Sequence, residues 1–99
     1  MGSCELDTWW YTSNGIVTGI YNHAYGTVPD YQWPDYWSLD DSDKYIIPGD
    51  PTHGYSYAYL TDHYEMPGGW PVGYSQYKLE TSVNGVGGAV SWSTLVDRL

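Results

Sequence analysis

Residues 9–26 read WWYTSNGIVTGIYNHAYG, and this stretch predicts two antiparallel strands joined by a tight turn. Asn14 and Gly15 stand at its centre, and an Asn-Gly pair favours a two-residue type I′ turn because both residues accept a positive φ. The run IVT at 16–18 is β-branched and favours extended backbone. The stretch therefore predicts a β-hairpin.

Turn-forming residues interrupt the rest of the chain at short intervals. Glycine, proline or paired turn residues recur about every eight to twelve positions, which is typical of many short strands, and helical periodicity is nearly absent. The 99 residues suffice for one small domain. We interpret residues 1–3 as a start or cloning remnant and 4–99 as a single all-β domain, a barrel or a sandwich. The predicted strands are Thr8–Thr12, Ile16–Tyr25, Trp37–Leu39, Tyr45–Ile47, Tyr55–Leu60, Val72–Thr81 and Ala89–Val96. For the last segment, a short helix capped by Ser91 is the alternative.

Charge narrows the classes of partner. Three basic residues against twelve acidic ones give a net charge of -9, the wrong sign for neutralising phosphates, so we expect no binding to nucleic acid or to an anionic membrane. Solubility explains this acidity most simply. An acidic inhibitor that mimics nucleic acid is an alternative, although only DDSD at 40–43 is dense enough to suggest it.

The residues that could act as nucleophiles or metal ligands show no catalytic or metal-binding pattern. Cys4 is the only cysteine, which excludes an internal disulfide. His23, His53 and His63 follow no ligand spacing, and DDSD lacks the order of a calcium loop and is interpreted as a solvated turn. We find no nucleophile signature. The sequence therefore predicts a protein without enzymatic activity, cofactor or metal.

Several segments in order resemble the avidin and streptavidin family. The family pattern G-x-[LV]-[TS]-G-x-Y-x-x-A-x-G is matched by residues 15–26. Further similar pieces are KYIIP at 44–48, GYSYAY at 54–59, WPVGY at 70–74, QYKLETS at 76–82 and WSTLV at 92–96. The resemblance implies a small antiparallel up-and-down β-barrel. Because the chain is shorter than family members, we expect shortened hairpins and a missing final strand, whose open edges invite pairing with another chain.

The resemblance also implies a binding site for biotin or a biotin-like molecule. Tyr21 matches the tyrosine that donates a hydrogen bond to the ureido oxygen, and His23 stands where the family has Ser or Thr. Leu79 falls within the matched segment at 76–82. An oligomer is implied if Trp92 acts as the tryptophan that a neighbouring subunit contributes. The aromatic walls transfer to Tyr59, Trp70, Tyr77 and Trp92.

The aromatic residues allow two other interpretations. They make up 18 % of the chain as 12 Tyr and 6 Trp with no Phe, so that nearly every large ring has a polar group suited to a pocket or an interface. Such rings also fill the core of small β domains and form cross-strand pairs. Alternatively, the protein is a carbohydrate- or protein-interaction module with an aromatic surface. Exposed, coplanar rings would favour this alternative, and its candidates are Trp9, Trp33, Trp37 and Trp70.

Overall fold

The computed structural model describes residues 2–28, 35–65 and 72–98. They form six antiparallel strands and no helix, which confirms the all-β prediction. The strands are β1 (Ser3–Ser13), β2 (Ile16–Thr27), β3 (Asp35–Ile46), β4 (His53–Glu65), β5 (Val72–Asn84) and β6 (Ala89–Arg98). β1 pairs with β2 as a hairpin, and the other strands form a sheet in the order β3-β4-β5-β6. The described strands thus form two sheets and not one closed barrel.

The hairpin turn is confirmed, and it is followed by a β-bulge. Asn14 and Gly15 both have positive φ, 53° and 80°. Tyr11 lies opposite Gly19 whereas Thr12 lies opposite Val17, so Thr18 is an extra residue in β2. Such a bulge interrupts the alternation of side chains between the two faces. Val17 and Ile20, although three residues apart, are therefore both buried in the interior.

β3 corrects two predictions. The predicted strands Trp37–Leu39 and Tyr45–Ile47 belong to one strand, and DDSD at 40–43 lies inside it and not in a turn. The pairing shifts between Leu39 and Asp41, so that Asp40 is an extra residue in β3 without a partner in the register. Hydroxyl groups of the next strand donate to the acidic side chains, Thr61 to Asp40 and Tyr57 to Asp41. These bonds allow consecutive acids to remain in extended backbone.

The hairpin packs across one face of the four-stranded sheet, which we call the inner face. On β4 the inner positions are the even ones, and Ser56, Ala58 and Leu60 are fully or almost fully buried there. Thr8 of β1 and Asn22 of β2 both donate to the Ser56 hydroxyl across the interface, each at 3.0 Å. The opposite, odd-numbered side of β4 faces away from the hairpin and belongs to the outer face of the sheet.

A cluster of buried apolar side chains lies at one end of the molecule. It consists of Val17, Ile20 and Val83, with Trp10 and Ile46 packed against it, and Ala58 and Leu60 continue the buried apolar positions along β4. The turns also meet at this end. The amide of Val17 donates to the carbonyl of Pro51, and the amide of Gly85 donates to that of Thr52, both at 2.8 Å. The Cα extents of 58 × 23 × 16 Å describe a long, thin molecule.

β6 is the strand that the hairpin does not cover. All ten of its residues are exposed, because β1 and β2 lie over β3, β4 and β5. The prediction that this segment is a strand is confirmed, and the helical alternative is wrong. Among the described residues, no helix has the length and apolar character needed to cross a membrane.

Candidate functional site

The outer face of the hairpin carries a group of exposed aromatic side chains. Trp9 and Tyr11 come from β1 and Tyr21 comes from β2, and they are 46 %, 60 % and 47 % exposed. We call these three residues the hairpin platform. Large rings exposed together on a short strand pair are uncommon unless they serve an interaction. The platform is therefore the first candidate site.

The three rings of the platform contact one another through Tyr21. Trp9 lies directly opposite Tyr21 in the strand pairing, with ring centroids 6.0 Å apart and ring planes 17° from parallel. Tyr11 meets Tyr21 edge-on, also at 6.0 Å. A Cβ atom at Gly19 would lie 3.4 Å from the Tyr21 ring and 3.5 Å from the Tyr11 ring. Both rings therefore extend over Gly19, and the absence of a side chain there gives them room to pack against the backbone.

Carboxylates continue the same face beyond the rings. Tyr25 donates a hydrogen bond to Glu5, which lowers the pKa of Glu5 and raises the pKa of Tyr25 to about 12. A hydrogen bond with Glu5 raises the pKa of Asp7. Residues 2–28 contain no lysine or arginine. The face thus combines aromatic rings with acceptors for hydroxyl hydrogens, and His23 is its only basic side chain among residues 2–28.

A depression lies beside the platform at the edge of β1. Its volume is about 270 Å³, and it opens next to Trp9. Thr8, Trp10, Thr12 and Gly87 complete its lining.

The outer face of the four-stranded sheet is also aromatic, but its rings are tied to charged neighbours. Tyr57 donates to Asp41 at 3.1 Å, and Tyr55 donates to Glu80. The Lys78 ammonium lies 5.4 Å and 5.2 Å from the ring centroids of Tyr57 and Tyr59. Cation–π contacts and hydrogen bonds of this kind hold side chains in place. We interpret this face as a surface whose side chains are held by hydrogen bonds and cation–π contacts between neighbouring strands.

The hydroxyl groups of Ser38 and Thr61 both bind Asp40 at one end of that outer face, and His63 lies beside Ser38. Ser38 donates to Asp40 at 2.9 Å, and Nε2 of His63 lies 3.0 Å from the Ser38 hydroxyl. Burial raises the pKa of Asp40, but hydrogen bonds from Thr61, Gln76 and Ser38 outweigh it and keep that pKa low. Nucleophile activation requires the histidine to accept the serine proton. Here the Ser38 hydroxyl donates to Asp40.

The structure distributes the residues of the predicted biotin site over three surfaces. Tyr21 and His23 lie on the outer face of the hairpin, because the bulge at Thr18 turns Tyr21 away from the interior. Tyr59 lies on the outer face of the sheet. The remaining described positions are Tyr77 and Leu79 on the inner face of β5 and Trp92 on β6, and Trp70 lies outside the described residues.

Two of these residues do share a groove. Leu79 and Trp92 line a depression of about 280 Å³ that runs between β1, β5 and β6. We call it the β1–β6 groove, and Cys4 and Leu6 form its β1 side. The other predicted residues do not line it, so the described side chains do not surround one common cavity.

The tryptophans proposed for a sugar-binding surface separate in the same way. Trp9 is exposed on the platform, whereas Trp37 is half-buried against Gly26 and donates its Nε1 hydrogen to the carbonyl of Thr27 at 3.2 Å. Trp33 and Trp70 lie outside the described residues. Tyr11 and the stacking role of Tyr21 were not predicted. The Asn14-Gly15 turn is the signal that could have located them, since it places these strands side by side.

Metal binding finds no site in the described part of the chain. No group of three or more His, Cys, Asp or Glu side chains there could hold a metal ion.

Comparison of the chain with protein-family models, curated proteins and solved structures finds no match. The functional argument therefore depends on the geometry of the chain's own residues.

Proposed function

We propose that the protein is a noncatalytic carbohydrate-binding module whose hairpin platform stacks on the pyranose rings of a neutral glycan. One observation carries this proposal: Trp9 and Tyr21 are both about half exposed and nearly parallel. Two exposed and nearly parallel rings present apolar ring faces, and a sugar offers a matching surface of C–H groups on one side of its ring. The platform therefore suits a flat, repeating ligand.

The polar surroundings support a neutral glycan over an anionic one. Sugar hydroxyls donate hydrogen bonds, and Glu5 and Asp7 provide acceptors on the same face as the rings. The net charge of -9 and the lack of lysine and arginine at 2–28 disfavour sulfated or uronic-acid polymers by repulsion. We expect the ligand class to be uncharged polysaccharides.

Removal of the Trp9 ring is expected to weaken binding. Trp9→Ala should lower the affinity for a soluble neutral polysaccharide about tenfold, because a lost ring contact of about 1.4 kcal/mol corresponds to that factor. Retardation in native gels that contain mixed-linkage β-glucan, xylan or galactomannan measures the change, and tryptophan fluorescence gives the affinity.

A matched variant lies on the other side of the molecule. Tyr36 is 62 % exposed, close to the value of Tyr11, and it stacks on His63 away from the hairpin. Tyr36→Ala should bind polysaccharide like the unmodified protein. Equal weakening by both variants, or no retardation by any of the three polymers, would contradict the proposal.

Biotin should be titrated in the same fluorescence experiment as the polysaccharide. An avidin-like pocket, with the closed barrel that it requires, stays a prediction from the sequence resemblance. The platform proposal expects fluorescence to change with polysaccharide and not with biotin at millimolar concentration. A response to biotin that Trp9→Ala leaves intact would favour the pocket instead.

A further inference from the structure

The sheet extends one strand further than the layer that covers it. β6 pairs with β5 on one side only, and each of its residues is exposed, including Leu95, which lies opposite the inner residue Tyr77. Its inner positions are those paired with inner residues of β5, such as Ser91 opposite Thr81 and Ser93 opposite Leu79. A face that would be interior in a complete two-layer sandwich is thus open.

The hairpin layer has a corresponding open edge. β1 pairs with β2 and has no partner on its other side among the described strands. This edge borders the β1–β6 groove, whose floor consists of residues from β5 and β6. The backbone N–H and C=O groups of an unpaired edge form a template for an added strand. One strand is missing beside β1 and directly above β6.

We propose that a second copy of this chain provides that strand, and that the protein forms a two-fold dimer in which β6 of each chain pairs with β1 of the other. The hairpin of one chain and the four-stranded sheet of its partner then form one six-stranded sheet. Two such sheets pack face to face, and the inner positions of both β6 strands become interior. One symmetric contact closes the open edges of β1 and β6.

Three features select a copy of this chain as the occupant. β1 has eleven residues and β6 has ten, so the two strands match in length. The chain provides one uncovered strand and one vacant groove, which are the two halves of a self-complementary interface. Residues 89–96 carry no charged side chain, although the whole chain has a net charge of -9. A second acidic copy therefore meets no like charge along that strand.

The sequence of β6 does not protect its edge. Natural edge strands are commonly blocked by lysine, proline or a short length. Residues 89–96 contain neither lysine nor proline. The irregularity in the β5–β6 pairing lies between Gln76 and Tyr77 of β5, opposite the last residues of β6. An exposed, neutral strand of this length is suited to pairing.

Sedimentation equilibrium from about 1 to 200 μM tests the dimer, with two variants of β6 as a matched pair. Ser93→Glu places a charge at an inner position, where the two β6 strands would face each other. Thr94→Glu places the same charge at an outer position opposite Lys78, outside the interface. We expect the unmodified protein and Thr94→Glu to dimerise, and Ser93→Glu to dissociate at least tenfold more readily. Circular dichroism verifies that all three proteins are folded.

The native cysteine gives a second readout at the same contact. Cys4 is the only cysteine and lines the β1–β6 groove. Its rate of reaction with a thiol reagent should fall with rising protein concentration in the unmodified protein and stay constant in Ser93→Glu. A monomer over the whole concentration range overturns the proposal. A dimer that Ser93→Glu does not weaken, or whose formation leaves the rate at Cys4 unchanged, also overturns it.

Discussion

Asp62→Asn is expected to increase the free energy of unfolding at pH 8 by about 2 kcal/mol or more and to flatten its pH dependence between pH 5 and 8. Asp62 lies on β4 with 5 % of its surface exposed, and its Oδ1 atom has no hydrogen-bond partner. Burial, followed by the hydrogen bond and the charge of Asp35, raises the pKa of Asp62 to about 7. Ionisation of this carboxyl in the folded protein is therefore costly.

The sign of the effect follows from proton binding. An unfolded Asp releases its proton near pH 4, whereas folded Asp62 retains it up to about pH 7. Between these values the folded state binds one more proton than the unfolded state, so the contribution of Asp62 to stability falls by at most about 1.4 kcal/mol per pH unit as pH rises. Asparagine cannot ionise and removes this loss.

Urea unfolding at pH 5, 6, 7 and 8 measures the difference between the two proteins. Asp43→Asn is the control, because it removes one negative charge from an exposed position of the neighbouring strand. We expect the control to differ from the unmodified protein by a nearly constant amount over this range. If Asp62→Asn is less stable than the unmodified protein at pH 8, the carboxylate has a partner that offsets its burial.

Gly85→Ala is expected to reduce the free energy of unfolding by about 3 kcal/mol or more. A Cβ atom at position 85 would overlap the carbonyl group of Gly15 and lie 2.8 Å from the amide nitrogen of Ile16. These are backbone atoms of the hairpin turn, and they cannot move aside as the end of a side chain could. The turn after β5 would have to separate from the turn after β1, with loss of the hydrogen bond from Gly85 to Thr52.

A neighbouring glycine separates this clash from ordinary backbone strain. Gly87 has a φ of 90°, but a Cβ atom there would meet nothing within 4 Å. Gly87→Ala should therefore cost only about 1–2 kcal/mol, from its backbone conformation. Chemical denaturation of both variants measures the contrast. Equal costs would mean that the two turns do not approach each other closely in solution.

The hairpin and the strand-rich fold could be predicted because their signals are local. Asn14 and Gly15 define a turn type by their own conformational preferences, and proline and glycine divide the chain whatever its tertiary structure. The length of β3 could not be obtained in this way. The acids at 40–43 favour a loop by composition, and they stay in the strand through hydrogen bonds from Tyr57, Thr61 and Gln76, which are distant in sequence.

The candidate site was predictable only in part for a similar reason. Alternation places Trp9 on one face of β1, and the turn places it near Tyr21. Whether Tyr21 lies on that same exposed face depends on the bulge at Thr18, which reverses the orientation of the following residues of β2. A strictly alternating β2 would place Tyr21 on the same side as the buried Val17. A single extra residue thus decides whether Tyr21 points to the interior or to solvent.

The unequal ends of the molecule have a consequence for its dynamics. The buried trio Val17, Ile20 and Val83 and the amide bonds from Val17 to Pro51 and from Gly85 to Thr52 join the two layers at the turn end. Toward the opposite end, the described inner side chains of β4 are the buried Leu60 and then the ionisable Asp62. Local stability follows the density of buried apolar contacts. Fraying is thus expected to begin at the far end, with the turn end as a hinge, and amide hydrogen exchange should slow progressively toward Val17 and Val83.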